Sequence, residues 1–365
     1  MQNIEYVYIN KMRGRTTLMK NKHSILILTL AGVIVLLSAC GSSSKVGESD
    51  ITNSVLASKL DTPSENTKST DSGDSAEKVS SGEKSYVLAT DSDFVRETGG
   101  LLKDYWKYIG TETYVKVPSK IHGEIIRSTS YMFWNNEEIK GAIFSGPVED
   151  MSYTFVNCVM LEGDAVVLPD GVVQLAFAFD NCLSLTKTPV IPKTVLSLQR
   201  TFDSCESLIE VGDIPEGVTN MKGTFRQCNS LVNAPKIPTT VLNMESTFAH
   251  CDKLLEAPMI PSNVISMAKT FEECKELRKF GTIPSSVKYL TSAFNFCESL
   301  SGEINMEANP EGYDSCFDFT GTKAKLSINY TKQNSNIVDK IIKDVLSKPE
   351  GEGPTVLIKG KLISK

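Results

Sequence analysis

Thr247-Phe248-Ala249-His250-Cys251-Asp252-Lys253-Leu254 opens a stretch that runs on through Ile260-Pro261, Val264 and Met267 to Thr270-Phe271, where the same pattern begins again. Outward from Phe248 stand Phe155, Phe179, Phe202, Phe225, Phe271, Phe294 and Phe317, spaced 24 residues once and 23 thereafter, with Phe133 a further 22 ahead. Three residues after the phenylalanines come Cys158, Cys182, Cys205, Cys228, Cys251, Cys274 and Cys297. Three further on come Leu161, Leu185, Leu208, Leu231, Leu254, Leu277 and Leu300. Leu168-Pro169, Ile191-Pro192, Ile214-Pro215, Ile237-Pro238, Ile260-Pro261 and Ile283-Pro284 follow. Val172, Val195, Val218, Val241, Val264 and Val287 trail each proline by three, and Leu175, Leu198, Met221, Met244, Met267 and Leu290 trail those by three more. Columns held in register over this many units establish an internal repeat.

A single unit of this kind cannot fold alone. Its apolar side chains contribute about 1.5–3 kcal/mol apiece when buried, whereas ordering the backbone costs about 1–2 kcal/mol for every residue. Stacked units share one continuous core, which is the solenoid solution. The pattern therefore predicts a repeat solenoid with a short parallel strand per coil around Leu231-Val232-Asn233-Ala234-Pro235-Lys236-Ile237, and stacked coils about 4.8 Å apart. Prolines suit strand ends, where a missing N–H does least harm. The i, i+3 spacing of the Thr247–Cys251 stretch predicts one helix-like turn on the opposite, convex side. Phe225 and Phe248 should be fully buried, and Arg226 and Lys236 exposed.

The pattern Phe-x-x-Cys-x-x-Leu followed by Ile-Pro-x-x-Val resembles the BspA-type leucine-rich repeats of bacterial surface proteins. Val148 to Cys158 is similar to the Met-x-x-Met-Phe-x-x-Cys units of related repeats, and Tyr108 to Gly123 to the first coil of that group. The resemblance spans residues 92–321. It departs in detail, because these units carry one extra residue before Ile-Pro, often a second proline (Pro189, Pro235, Pro258), and one fewer before the phenylalanine. The resemblance implies surface exposure and protein or matrix binding, without naming one ligand.

Ahead of the repeats, Lys20 and Lys22 precede an apolar run from Ile25 to Leu37 and then Leu37-Ser38-Ala39-Cys40-Gly41. A basic start, a short apolar segment and small residues at the cleavage point read as a secretory signal over residues 1–39. The run is short for a membrane span, which takes about 20 apolar residues. Leu37, Ser38, Ala39 and Cys40 resemble the lipobox of bacterial lipoproteins, which implies lipidation of the Cys40 thiol and cleavage before it. Met12 and Met19 are alternative starts, and from Met19 residues 1–18 are not translated. Residues 40–85, rich in Ser, Thr, Asp, Glu and Lys, bury too little apolar surface to fold and read as a disordered tether with an end-to-end distance of roughly 40 Å. Residues 86–130 then form an N-terminal cap and first coil, and 131–321 the repeats. Residues 322–365 form a small α/β C-terminal cap, with a strand over Lys325–Tyr330, an amphipathic helix over Ile337–Ser347 and an apolar run over Thr355–Ile358.

The chemistry that the sequence carries is sparse. A net charge of −6 with interspersed signs argues against a nucleic-acid surface, which would cluster its basic residues. Neighbouring cysteines of the column lie within Cα reach of a disulfide, but parallel Cβ vectors keep them from closing it. Zinc sites want closely paired cysteines, which are absent, so the column reads as packed, reduced thiols and no metal or cofactor is expected. Cys316 falls outside this column. A cysteine hydrolase needs a histidine partner, and of His23, His122 and His250 only His250 adjoins a column cysteine. With Cys251 inward, His250 should point away, so no enzyme is expected. Candidate ligand positions are the columns that vary between coils on the strand side: Lys187, Glu210, Asn233, Glu256 and Lys279, then Val190, Asp213, Lys236, Met259 and Thr282. The chain reads as a monomeric lipoprotein held to the cell membrane through lipid on Cys40, binding a protein or glycan as an adhesion module. A structural envelope protein without a discrete ligand is the alternative, and a cysteine-dependent enzyme a distant third.

Overall fold

The computed structural model describes residues 26–30, 33–37, 79–81, 84–98, 104–320, 326–347 and 358–363. The chain divides into two compact units, residues 1–71 and 72–365. In the first, strand β1 (Leu26–Leu30) pairs antiparallel with β2 (Val33–Leu37) inside the apolar run. Among the described residues no helix is long and apolar enough to cross a membrane.

The second unit is a parallel solenoid of about nine turns with little helix. It opens with β3 (Val79–Ser81), β4 (Lys84–Leu88), a hairpin of β5 (Phe94–Glu97) and β6 (Tyr105–Tyr108), then β7 (Tyr114–Val117), a tight β8 (Lys120–Ile121) and β9 (Glu124–Ile125) pair, and β10 (Gly141–Phe144). β4, β7 and β10 lie parallel, and β3 closes the edge antiparallel to β4. Order therefore sets in before residue 86. Strand β4 is paired to β7 and β3, and the Lys84 ammonium adds bridges to Glu162 at 2.8 Å and Asp164 at 2.7 Å. Beside it the Tyr86 hydroxyl donates to the Ala165 carbonyl at 2.8 Å.

Through the repeats the parallel sheet thins to single bridges. One row joins Ser128, Asp150, Gln174, Ser197, Asn220, Asn243, Ser266, Tyr289 and Gly312, and a second joins Lys187 to Glu210 and Asn233 to Glu256 to Lys279. The expected strand at Leu231–Ile237 is thus reduced to Asn233, because Pro235 has no N–H to extend a ladder. The one 24-residue unit absorbs its extra residue in a 3-10 turn at Gly163–Ala165.

The Thr-Phe-x-x-Cys stretch forms the expected turn, built of consecutive tight turns and not as a short helix. Successive tight turns produce the same i, i+3 spacing: the Thr247 N–H donates to the Met244 carbonyl at 3.1 Å, Cys251 to Phe248 at 3.0 Å and Leu254 to Cys251 at 3.1 Å. Between them Ser246 and His250 take left-handed φ values of 54° and 61°. Every other N–H is thereby turned towards the next coil, so that Met244, Ser246, Phe248 and His250 donate to Ser266, Ala268, Thr270 and Glu272 at 2.7–2.9 Å.

Inside this wrapping the phenylalanines from Phe133 to Phe317 stack face to face, with ring centroids 5.1–5.9 Å apart. All are buried, as are the leucine and valine columns and the Leu168 and isoleucine positions that precede the prolines. At the C-terminal end, β11 (Thr282–Ile283), β12 (Gly302–Met306), β13 (Leu326–Tyr330) and β14 (Ile358–Leu362) form a parallel sheet in that order. Helix α1 (Ser335–Leu346) buries Val338, Ile341 and Val345 over the end of the core. The cap was anticipated in outline, but its sheet reaches back into the last repeats.

One exposed position was misread. Arg226 is largely covered, its Nε 3.1 Å from a carboxylate oxygen of fully buried Asp203, which Arg200 also approaches at 3.4 Å. Removing one partner of a buried charge leaves the other uncompensated. In urea melts Phe248→Ala should cost roughly 3–5 kcal/mol through the cavity it opens. Arg226→Ala should cost about 1–3 kcal/mol through the stranded carboxylate, and Lys236→Ala within about 0.5 kcal/mol. Equal losses at Phe248 and Lys236 would contradict the assignment of the columns.

Candidate functional site

The sheet-side columns are built by the second row of bridges. Pairing of Lys187 with Glu210, and of Asn233 with Glu256 and Lys279, sets these residues one above the other along the coils, and all five are exposed. Their side chains pair within the column: Lys187 with Glu210, and Lys279 Nζ with Glu256 Oε1 at 2.6 Å. Exposed pairs of this kind are worth about 0–1 kcal/mol, so an incoming partner can recruit either charge at small cost. Three residues on, the backbone has passed the proline position and Val190, Asp213, Lys236 and Met259 project outward, Val190 at 88% and Met259 at 90% exposure. Lys236 reaches only a loose 4.0 Å contact with Glu216. Thr282 differs from the other nine, being half-buried where β11 joins the C-terminal sheet. The structure thus gathers nine of the ten candidate residues on one strip of surface. Ser38, Ala39 and Cys40 lie outside the described residues, and Leu37 ends β2.

The cysteine column has a structural task. Each Sγ points at the phenylalanine carbonyl of the preceding coil: Cys182 at Phe155, Cys205 at Phe179, Cys228 at Phe202, Cys251 at Phe225, Cys274 at Phe248 and Cys297 at Phe271, over 3.0–3.2 Å. At the last coil Thr320 stands in the column, and its hydroxyl donates to the Phe294 carbonyl in the same way. All eight described cysteines are free and buried. Burial pushes the thiols of the column upward from their ordinary range. That holds them in the unreactive protonated form. Cys316 proves to occupy the position just before a ladder phenylalanine, which elsewhere is Met132, Thr154, Ala178, Thr201, Thr224, Thr247, Thr270 or Ala293. His250 turns to Glu273, its Nδ1 3.3 Å from the carboxylate. Among the described residues no group of three or more His, Cys, Asp or Glu side chains could hold a metal ion.

Two groups went unread in the sequence. One is the buried threonine column, whose hydroxyls donate across coils, Thr224 to Leu198 and Thr247 to Met221, at 2.8–2.9 Å. The other is a cluster of half-buried rings over the first coils, including Tyr105, Tyr131, Trp134 and Tyr153. The concentration of tyrosine and tryptophan between residues 105 and 153 was the available signal.

A sequence profile described as a BspA type leucine rich repeat region matches in 6 copies, over residues 129–254, 174–301 and 222–345. No curated protein matches the chain. Among solved structures, a leucine-rich repeat protein from Bacteroides ovatus ATCC 8483 is similar at 18% identity and a TM-score of 0.44, over 74% of this chain and 75% of its own. A leucine rich repeat protein of T. pallidum is similar at 18% identity and a TM-score of 0.32, over 70% of this chain and 95% of its own. A leucine rich cell surface protein from Faecalibacterium prausnitzii A2-165 is similar at 17% identity and a TM-score of 0.35, over 76% of this chain and 95% of its own.

Burial makes the folded chain bind the thiol protons more tightly than the unfolded chain does. The stability this confers is complete below about pH 8.5, where an unfolded thiol begins to ionise, and is lost as pH rises above that value. Urea melts from pH 7 to pH 10 should therefore show declining stability. The decline should be shallower when Cys228, Cys251 and Cys274 are replaced by serine, which keeps the carbonyl contact without an ionising thiol. Identical pH profiles for the two chains would contradict this account of the column.

Proposed function

The chain belongs to the BspA-type leucine-rich-repeat family, and on that footing we propose that it is a lipid-anchored protein-binding module displayed at a bacterial cell surface. Proteins with this repeat are generally bacterial cell-surface proteins. The lipobox-like Leu37-Ser38-Ala39-Cys40 supplies the anchor in this reading, and residues 41–84 the reach between membrane and solenoid. Two or more acyl chains at Cys40 would hold firmly, since each buried CH₂ contributes about 0.8 kcal/mol and one chain alone binds reversibly. Adhesion, through the matrix or a neighbouring cell, is the role this arrangement suits. The repeat family is one of scaffolds rather than catalysts.

The observation that carries the binding reading is the contrast within each coil. Core columns repeat their residue type from end to end, whereas Val190, Asp213, Lys236 and Met259 share one exposed position and differ in charge, size and polarity. Two of the four are apolar side chains held almost wholly in water. Such residues gain most from being covered, and interface cores are rich in methionine and poor in charge. The weak ion pairs beside them supply a polar rim.

Two outcomes test the proposal. Cys40→Ala should shift the protein from the membrane fraction to the medium, or to an unprocessed precursor of higher mass; unchanged fractionation and mass would refute the anchor. Full-length protein immobilised on beads should retain a partner from matrix or neighbouring-cell proteins. Retention should fall about tenfold with Val190→Asp and Met259→Asp combined, at an unchanged melting temperature. A partner retained equally by both chains would remove this strip from the binding face.

A further inference from the structure

The ladder phenylalanines recur in every coil, but a second row of aromatics does not. Two positions ahead of the ladder stand Tyr131, Tyr153 and Phe177 in the first coils, and then Arg200, Gly223, Ser246, Lys269, Ser292 and Ser315. Every one of these positions has a left-handed φ. Later coils build it with glycine, serine or lysine, so the rings are not required by the turn. Bulky residues are uncommon in that conformation, and strain of this sort collects at functional sites.

These rings form one continuous stack, in which Tyr131 and Tyr153 are half-buried and Phe177 is buried. Tyr131 stacks on Tyr153 and Tyr153 on Phe177, both with centroids 4.8 Å apart, and the Arg200 guanidinium lies over Phe177 at 5.4 Å. Tyr105 packs against Tyr131 at 5.4 Å, and Trp134 meets Tyr131 edge-on at 5.9 Å. Trp134 is also a wall of a groove of about 390 Å³, shared with Lys107, Ile109, Asn135, Asn136 and Glu137. From the groove a row of side-chain amides runs along the coils. Asn135 Oδ1 accepts from Asn157 at 2.6 Å, and Asn157 Oδ1 accepts from Asn181 at 2.9 Å.

The lining selects a class of ligand. A half-buried indole with an exposed isoleucine offers a flat apolar face, and amides and carboxylates around it offer acceptors and donors at fixed places. A pyranose ring matches both, with a C–H face for the indole and equatorial hydroxyls for the rim. Glu112, Glu137 and Glu138 against Lys107 leave the groove acidic, which disfavours sugars bearing carboxylate, sulfate or phosphate. A peptide anchor would want a deeper, drier pocket. We propose that the groove at Trp134 and the adjoining tyrosine stack form a binding site for a neutral oligosaccharide, laid along the coils beside the amide row. This site is separate from the strip around Met259, and either can fail without the other.

The chain has just 2 tryptophans; Trp134 lies in this ring cluster, whereas Trp106 packs on His122 and Arg96, so the emission of the full-length Trp106→Phe variant reports on the site directly. Titration with hexasaccharides of glucose, mannose and N-acetylglucosamine should give a saturable change for at least one. Hexagalacturonate and a gelatin-derived peptide should give none. Calorimetry with the responding sugar should show affinity lowered about tenfold or more by Trp134→Ala. Glu137→Ala, at an exposed position, should lower affinity severalfold with an unchanged melt, which separates loss of the site from loss of the fold. Silence towards all three neutral sugars, a response to the acidic sugar or the peptide alone, or full affinity in both variants would overturn the proposal.

Discussion

A chain that turns back on itself every three residues inside its own core buries carbonyl oxygens that no strand or helix can satisfy, and the rest of this structure depends on how those oxygens are met. An unpaired buried polar group costs about 1–3 kcal/mol, and here the same carbonyls recur in every coil. The phenylalanine carbonyl receives the N–H of its own coil's cysteine and the S–H of the next coil's. The carbonyl of the preceding Met-or-Leu column is served in the same way by threonine. Towards the surface, Thr194, Thr240 and Ser286 do this for the valine carbonyls of Val172, Val218 and Val264, at 2.6–2.8 Å. Three columns of small donors thus tie each coil to its neighbour. From Phe155 onward the two inner columns hold only small side chains, Thr, Ala or Cys before the phenylalanine and Cys or Thr three residues after it.

The same dependence explains the ends. A coil whose carbonyls and phenylalanine face are met only from one side cannot stand open to water, and solenoids close such faces with atypical terminal units. At the start, Lys84 is held charged against its burial by Asp164 and Glu162, pinning β4 across the first coils. At the finish, Thr320 takes over the cysteine's contact. Asn334 carries its amide to the carbonyls of Met306 and Ala308 at 2.6 and 3.1 Å, and α1 covers what remains. Exposed columns arranged along the coils are then a by-product of stacking. Positions outside the core columns are free to differ, and they sit in register because the columns beneath them do.

How much of this could be read from residues alone follows from where each partner lies. The phenylalanine, leucine and valine columns were legible because a core residue declares itself by its own apolarity. The hydrogen-bonding task of Cys251 was not, since its acceptor on Phe225 is 26 residues away and is a backbone atom. Arg226 looked like a surface residue for a related reason: Asp203 lies 23 residues earlier, a full coil. Counting by the period would have found that pair, and would also have placed Cys316 with the threonines. The turn at Thr247–Cys251 was legible but its type was not, because i, i+3 spacing is common to a short helix and to consecutive tight turns, and φ at Ser246 and His250 is invisible in the sequence. The strip at Val190 and Met259 was legible as variation against a fixed background. The ring cluster at Trp134 was passed over because aromatic residues beside a phenylalanine repeat look like more core.

The central claim is that coil-to-coil hydrogen bonding at the phenylalanine seam, closed by the cysteine and threonine columns, is what makes the stacked coils one cooperative body. Residue-resolved amide hydrogen exchange tests it most directly. The Phe179, Phe202, Phe225, Phe248 and Phe271 amides, each bonded to a neighbouring coil at 2.9–3.0 Å, should exchange only through opening of the whole solenoid. Their protection should match one another and the global unfolding free energy. Exposed Lys236 and Met259 amides should exchange orders of magnitude faster. Fast exchange at the phenylalanine amides, or protection that differs coil by coil, would contradict the account.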